Sequence, residues 1–195
     1  MKALVVYCHP DSKSFCRQMH DVVVDGLATG GHSVRSVDLY ADGFNPVIGP
    51  DEHRSYMVFD REKDPDVANY ISMVQESDVL VFVYPTWWGT LPAMLKGWFE
   101  RVLVPGVGFT INNHNKIRPG LLHVKRIVGV TTYGSSRWYV RLITDGGRRT
   151  LHRSLRAATG LRTRPKWFAF YGIDGASNSD RLKFLSALER DAARL

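Results

Sequence analysis

Residues 78–84 read Asp-Val-Leu-Val-Phe-Val-Tyr. A strand that is apolar at nearly every position, with no polar alternation, is the mark of a central parallel strand covered by helices on both faces. The rest of the chain supplies matching units. Ala3–Cys8 is a short apolar run. From Phe15 the apolar residues Met19, Val22, Val23 and Leu27 recur at helical spacing, and Gly30-Gly31 stops that helix. Ser33–Leu39 alternates as a second strand, and 67–76 carries a helical pattern.

After the central strand, apolar residues at 91, 94, 95, 98, 99, 102 and 103 define an amphipathic helix. Thr90 is its candidate cap, and Pro92 is tolerated in its first turn. Arg126–Thr131 predicts a fourth strand and Lys166–Tyr171 a fifth. Between them, 138–159 is helical in part and interrupted near Gly146-Gly147. Asp180, a candidate cap, opens a last helix that runs towards Leu195. Five β–α units predict one α/β domain over residues 1–195, a doubly wound five-stranded parallel sheet. Residues 40–65 and 104–123 lack periodicity. Stretches that long in one domain are usually functional or part of an interface.

Charge and cysteine content narrow the function. The formal net charge is +7, which favours anionic ligands. The basic residues form no long run, so they read as a solvated basic face rather than a nucleic-acid site. No stretch has the uncharged length that a membrane span needs. The N-terminal apolar run ends at His9-Pro10 without a small-residue cleavage site, and reads as a strand rather than a signal. Cys8 and Cys16 form neither a disulfide framework nor a CxxC pair, which predicts a reducing, cytoplasmic setting. No metal site is expected.

In open α/β sheets, ligands bind beyond the carboxyl ends of the strands. Three loops there carry unusual chemistry. The first, His9-Pro-Asp-Ser-Lys-Ser-Phe15, leads into a helix N-terminus, where backbone N–H groups suit a phosphate and His9 and Lys13 add positive charge. Ser12 or Ser14 would cap that helix. The loop is neither a dinucleotide turn nor a Walker loop. The second, Pro85-Thr-Trp-Trp-Gly89, places two tryptophans side by side at the sheet's mouth. Consecutive residues of an extended chain cannot both face one core, and a flat aromatic ligand would use them. The third, Thr131-Thr-Tyr-Gly-Ser-Ser136, is a small hydroxyl-rich turn. Phosphate loop, aromatic platform and polar clamp together suit flavin mononucleotide.

The run Pro85-Thr-Trp-Trp-Gly-Thr-Leu-Pro-Ala-Met-Leu-Lys-Gly-Trp-Phe-Glu-Arg101 resembles the signature of the NAD(P)H:quinone oxidoreductase family of flavodoxin-like flavoproteins. That family includes mammalian quinone reductases, bacterial modulators of drug activity and ancillary subunits of potassium efflux systems. His9, Ser14-Phe15, Asp38-Leu-Tyr40, Phe44-Asn-Pro46 and Thr131-Thr-x-Gly134 extend the likeness over nearly the whole chain. The resemblance implies a flavodoxin-like fold and a homodimer with its site at the interface. Residues 106–123, with Phe109, Ile111 and Ile117, are the candidate contact or site rim.

By the same resemblance, His9, Ser14, Phe15 and Cys16 meet the flavin's phosphate part. Thr86, Trp87, Trp88 and Gly89 run along its ring. Thr131, Thr132, Tyr133 and Gly134 form the turn at its pyrimidine edge. Tyr139 matches an active-site tyrosine that assists hydride transfer, and Arg181 a cofactor-contacting arginine. The mammalian enzymes carry a histidine six positions after that tyrosine; here the place is Asp145. The chain is shorter than the FAD-binding mammalian members, which favours FMN over FAD. The implied activity passes hydride from NAD(P)H through flavin to a quinone-like acceptor. The alternatives are an azo- or nitroreductase and a regulatory subunit of a membrane transporter. A one-electron shuttle is disfavoured, because shuttles of this fold are acidic and this chain is basic.

Overall fold

The computed structural model describes residues 1–58 and 65–195. The parallel sheet contains β1 (Lys2–Tyr7), β2 (Ser33–Asp38), β3 (Val79–Pro85), β6 (Arg126–Tyr133) and β7 (Lys166–Tyr171), in the spatial order β2-β1-β3-β6-β7. β1 lies between β2 and β3, with Lys2 opposite Ser33 and Ala3 opposite Val79. The chain therefore reverses its direction of travel across the sheet between β1 and β3, and at such a switch point the loops at the strand ends diverge and leave a crevice. β3 is buried at all seven positions, as its continuous apolar sequence requires.

Helices cover both faces. α1 (Phe15–Thr29) and α8 (Asn178–Ala192) pack on one face over Val5, Val81 and Val130. Gly26 permits their contact, since a Cβ there would lie 2.5 Å from the Glu189 carbonyl oxygen. On the other face, α3 (Pro65–Gln75) and α4 (Ala93–Val102) bury Tyr70, Leu95 and Trp98 against Leu4, Leu80 and Phe82. A short α2 (Pro50–Arg54) lies in the first aperiodic stretch; residues 59–64 of that stretch fall outside the described residues. Buried Arg101 of α4 ties this stretch down, with Nε 2.9 Å from Glu52 and Nη1 donating to the Asn45 carbonyl at 2.6 Å.

The second aperiodic stretch contains a hairpin of β4 (Phe109–Ile111) and β5 (Ile117–Pro119). Three-residue strands are too short for alternation to reveal them. Beyond β6 come α5 (Arg137–Leu142), α6 (Gly146–Arg149), a π-helical turn (Thr150–Leu155) and α7 (Arg156–Ala158). The expected interruption falls at 143–145, directly before Gly146-Gly147, which opens α6. The capping assignments change in two places. Ser177, not Asp180, caps α8, its Oγ accepting from the Asp180 amide at 3.1 Å. Thr90 does not cap α4, whose cap position is Pro92.

Candidate functional site

The loop after β1 is held by its own side chains. His9 Nδ1 accepts from the Asp11 amide at 3.0 Å, and Asp11 Oδ1 accepts from the Lys13 amide at 2.8 Å. Ser14 caps α1, its Oγ accepting from the Arg17 amide at 3.1 Å, and the Tyr7 hydroxyl lies 3.3 Å behind it. The Phe15 and Cys16 amides have no partner among the described residues. The first turn of α1 carries no acidic side chain. The positive end of a four-turn helix is therefore uncompensated, the electrostatic condition for holding an anion.

The loop after β3 explains the awkward tryptophan pair. Trp87 and Thr90 exchange backbone hydrogen bonds at 3.2 and 3.0 Å, while Trp88 and Gly89 between them have φ of 50° and 68°. This is a two-residue turn of the type that normally takes Asn-Gly. It puts a bulky residue in the left-handed region, which costs about 1–2 kcal/mol. Trp88 projects fully into solvent, and Trp87, itself 42% exposed, lies with its ring 6.2 Å from that of His9. Thr144, on the opposite wall, is likewise left-handed at φ 53°. The Gly146 amide donates to the Gly89 carbonyl at 2.8 Å and joins the two walls.

Two clefts meet along this ridge. One, of about 390 Å³, lies among His9, Ser14, Phe15, Trp87, Thr132 and Asp174. The other, of about 620 Å³, is walled by Trp88, Gly89, Tyr133, Tyr139, Ile143 and Thr144. Thr86 and Gly134 line both. A groove of about 580 Å³ between α4, the hairpin and α7 is more apolar, but it lies away from the strand ends that carry these residues.

Most of the residues singled out by sequence converge here, with three distinctions. The Cys16 side chain is buried in the core, and burial pushes its thiol well up, although the residue borders the small cleft. Thr131 is fully buried behind Thr86, with their hydroxyls 2.9 Å apart. Arg181 lines neither cleft. It donates to the Ile173 carbonyl at 3.0 Å and lies over the Phe15 ring at 5.9 Å, which positions the cleft wall from behind. Tyr139 stands at the cleft mouth, about half exposed, and its hydroxyl has no partner among the described residues.

Asp145 has a defined task. Its Oδ1 accepts from the Arg148 amide at 3.0 Å and caps α6, while its Oδ2 accepts the Tyr133 hydroxyl. Burial first, and this carboxylate second, hold the Tyr133 phenol far above the usual range. Tyr133 is thus a fixed neutral donor, also stacked 4.8 Å from Tyr171. Sequence reasoning passed over Ile143, Thr144 and Asp174 as cleft residues. The only sequence sign of Asp174 was its place in a Gly-x-Asp-Gly turn after the last strand.

Comparisons with known proteins agree with this fold. A family described as "Flavodoxin-like fold" matches residues 1–192. Ribosyldihydronicotinamide dehydrogenase [quinone] of Homo sapiens is 32% identical over 166 residues, 76% of this chain and 70% of that protein. NAD(P)H dehydrogenase [quinone] 1 of Rattus norvegicus is 31% identical over 153 residues, 71% of this chain and 56% of that protein. Among solved structures, NAD(P)H:quinone oxidoreductase from Methanothermobacter marburgensis superposes with a TM-score of 0.81 at 23% identity, covering 100% of this chain and 96% of its own. With sheet order, switch-point clefts and family match in accord, the chain belongs to the flavodoxin-like family, among relatives that are quinone dehydrogenases.

Proposed function

We propose that the chain is a flavin-dependent NAD(P)H oxidoreductase that reduces quinone-like acceptors. The observation that carries this reading is the pair of clefts joined at Thr86 and Gly134. One end offers unpaired amides at a helix N-terminus, and the other a broad cavity with aromatic walls. An elongated ligand with a phosphate tail and a flat ring fits that polarity, and FMN, rather than FAD, has that extent. When bound, the flavin supplies the redox chemistry, taking hydride from NAD(P)H and passing it on.

The chain's own residues bind and orient. The Phe15 and Cys16 amides and the Ser14 loop would hold the phosphate. Thr86, Trp87, Trp88 and Gly89 would line the ring, while the Thr132–Gly134 turn, apart from the Tyr133 hydroxyl that Asp145 holds, would supply donors at its pyrimidine edge, where negative charge develops. The Tyr133 hydroxyl donates to Asp145, so the free hydroxyl at the mouth is that of Tyr139, placed to hydrogen-bond the bound reductant or acceptor. One mouth serving both partners predicts ping-pong kinetics.

A second copy of the chain is the proposed cover for the apolar groove lined by Phe99, Leu103, Phe109, Ile117, Leu155 and Leu161; light scattering after size exclusion tests the homodimer. Cys8 and Cys16 are both free and buried, which supports a cytoplasmic setting. Among the described residues no helix is long and apolar enough to cross a membrane. The absorption spectrum of the purified protein, identification of the released flavin, and stopped-flow reduction by NADPH followed by quinone reoxidation test the whole reading. Protein that binds no flavin, or binds it without reduction by NAD(P)H, overturns it.

A further inference from the structure

The net positive charge of this chain comes from one segment. Residues 137–164 hold eight arginines and a single acid, Asp145, so the whole formal net charge of +7 resides there and the remainder is balanced. Arg137, Arg141, Arg148, Arg149, Arg153, Arg162 and Arg164 are exposed. None of the seven has an ion pair or side-chain hydrogen bond among the described residues. Only Arg156 is engaged, with the Thr163 and Leu161 carbonyls.

The arginines alternate with exposed apolar side chains. On α5 the buried Val140 and the cleft residues Tyr139 and Ile143 face inward, so Arg137, Trp138, Arg141 and Leu142 share the outer arc. Trp138 and Leu142 are 71% and 65% exposed. Charge alone would suit any polyanion. A tryptophan and a leucine between two arginines add a different preference: an indole and an aliphatic chain gain by entering a lipid interface, while arginine heads remain among phosphates. The same short helix carries Tyr139 at the cleft mouth, and Trp88 stands free at that mouth.

We propose that the outer arc of α5, with Arg137, Trp138, Arg141 and Leu142, docks the protein on an anionic phospholipid surface and presents the cleft beside it to acceptors dissolved in the bilayer. The docking stands on the surface itself; its use for lipophilic quinones rests on the proposed oxidoreductase function. The interaction is peripheral and reversible, dominated by charge and assisted by shallow insertion of Trp138 and Leu142. It implies that acceptors with long hydrocarbon tails are reduced at the membrane rather than from water.

The test is co-sedimentation of the purified full chain with vesicles of phosphatidylcholine alone and with about 30% phosphatidylglycerol. The expected result is binding to the anionic vesicles only, abolished near 0.5 M salt, where the screening length falls to roughly 4 Å. Each arginine near such a surface contributes roughly fivefold to partition, so Arg137→Ser with Arg141→Ser lowers it about 25-fold. Trp138→Ser lowers partition separately, and neither variant changes turnover of a water-soluble quinone. Equal binding to neutral and anionic vesicles overturns the proposal. So does tighter binding to double-stranded DNA or to an acidic protein that Trp138→Ser leaves unchanged. Flavin content, read on the same samples, separates failure of this proposal from failure of the oxidoreductase reading, since docking requires no flavin.

Discussion

Replacing Trp88 by asparagine should make the apoprotein more stable. Trp88 occupies the first central position of the Trp87–Thr90 turn at φ 50°, and its side chain is fully exposed. Its removal therefore forfeits no burial, while asparagine tolerates the left-handed region that costs most L-residues about 1–2 kcal/mol. The expected gain is about 1 kcal/mol, which for a chain of this size raises Tm by roughly 2–4 °C. Urea denaturation measures it as a higher midpoint at unchanged m value. Trp88→Ala is the control: alanine keeps the backbone penalty and should match the parent. Asparagine no more stable than alanine would refute the reasoning, as would destabilisation by both, which would mean that Trp88 buries surface in solution. If the ring site is as proposed, Trp88→Asn also weakens flavin binding two- to tenfold, the worth of one aromatic contact. Stability and function would then move in opposite directions at a single residue.

Further outcomes follow from other contacts. Asp145→Ala removes the α6 cap and strands the Tyr133 hydroxyl, and should cost about 2–3 kcal/mol; a double-mutant cycle with Tyr133→Phe should show coupling of about 1 kcal/mol or more, and additive costs would disprove the pairing. Gly97→Ala should destabilise by about 1–3 kcal/mol despite alanine's helix propensity, because its Cβ would sit 2.2 Å from the Pro46 carbonyl oxygen. Burial raises the Tyr7 phenol from 10.0 to about 12 and also lifts the Tyr84 and Tyr133 phenols well above the usual range. The folded state thus holds these protons more tightly than the unfolded chain, so their contribution is complete below pH 10 and is lost as pH rises through 12; Tyr7→Phe should flatten the stability profile over that window. Burial likewise raises the Cys8 thiol to about 12 and the Cys16 thiol still higher, so neither should react with a disulfide reagent at pH 8 until the protein unfolds.

The sheet was legible because buried parallel strands and amphipathic helices write their periods directly into sequence. Val79–Tyr84 and the apolar stripe of α4 are cases in point. The α1 cap was legible only as Ser12 or Ser14, since both precede the apolar helical pattern, and the backbone selects Ser14. The α8 cap was misread because Ser177 and Asp180 both have capping chemistry, and only the backbone shows that Ser177 accepts from the Asp180 amide. The turn at Trp88 was hidden by its composition, since tryptophan is not a residue from which one infers a left-handed backbone. The Tyr133–Asp145 contact joins a strand end to a helix start and has no local signature. Asp145 could be seen to differ from a histidine, but not what it holds instead. The arginines of residues 137–164 form no run and so read in sequence only as part of a solvated basic face; a more specific meaning depended on α5 placing Trp138 and Leu142 outward between Arg137 and Arg141.

The sheet order has a consequence for how the chain reaches this state. Each ladder joins residues about thirty or more positions apart, from Lys2–Ser33 at the nearest to Ala3–Val79 across the switch point. No strand of the main sheet can pair with a sequence neighbour through a local hairpin, so loop closure must precede any reward from the sheet. During that delay the most apolar segment, Val79–Tyr84, is without its partners. A newly made or denatured chain is therefore most exposed to self-association at the segment that ends up deepest. Refolding yield should fall steeply with protein concentration, and charged substitutions flanking that segment, rather than inside it, are the means of raising it.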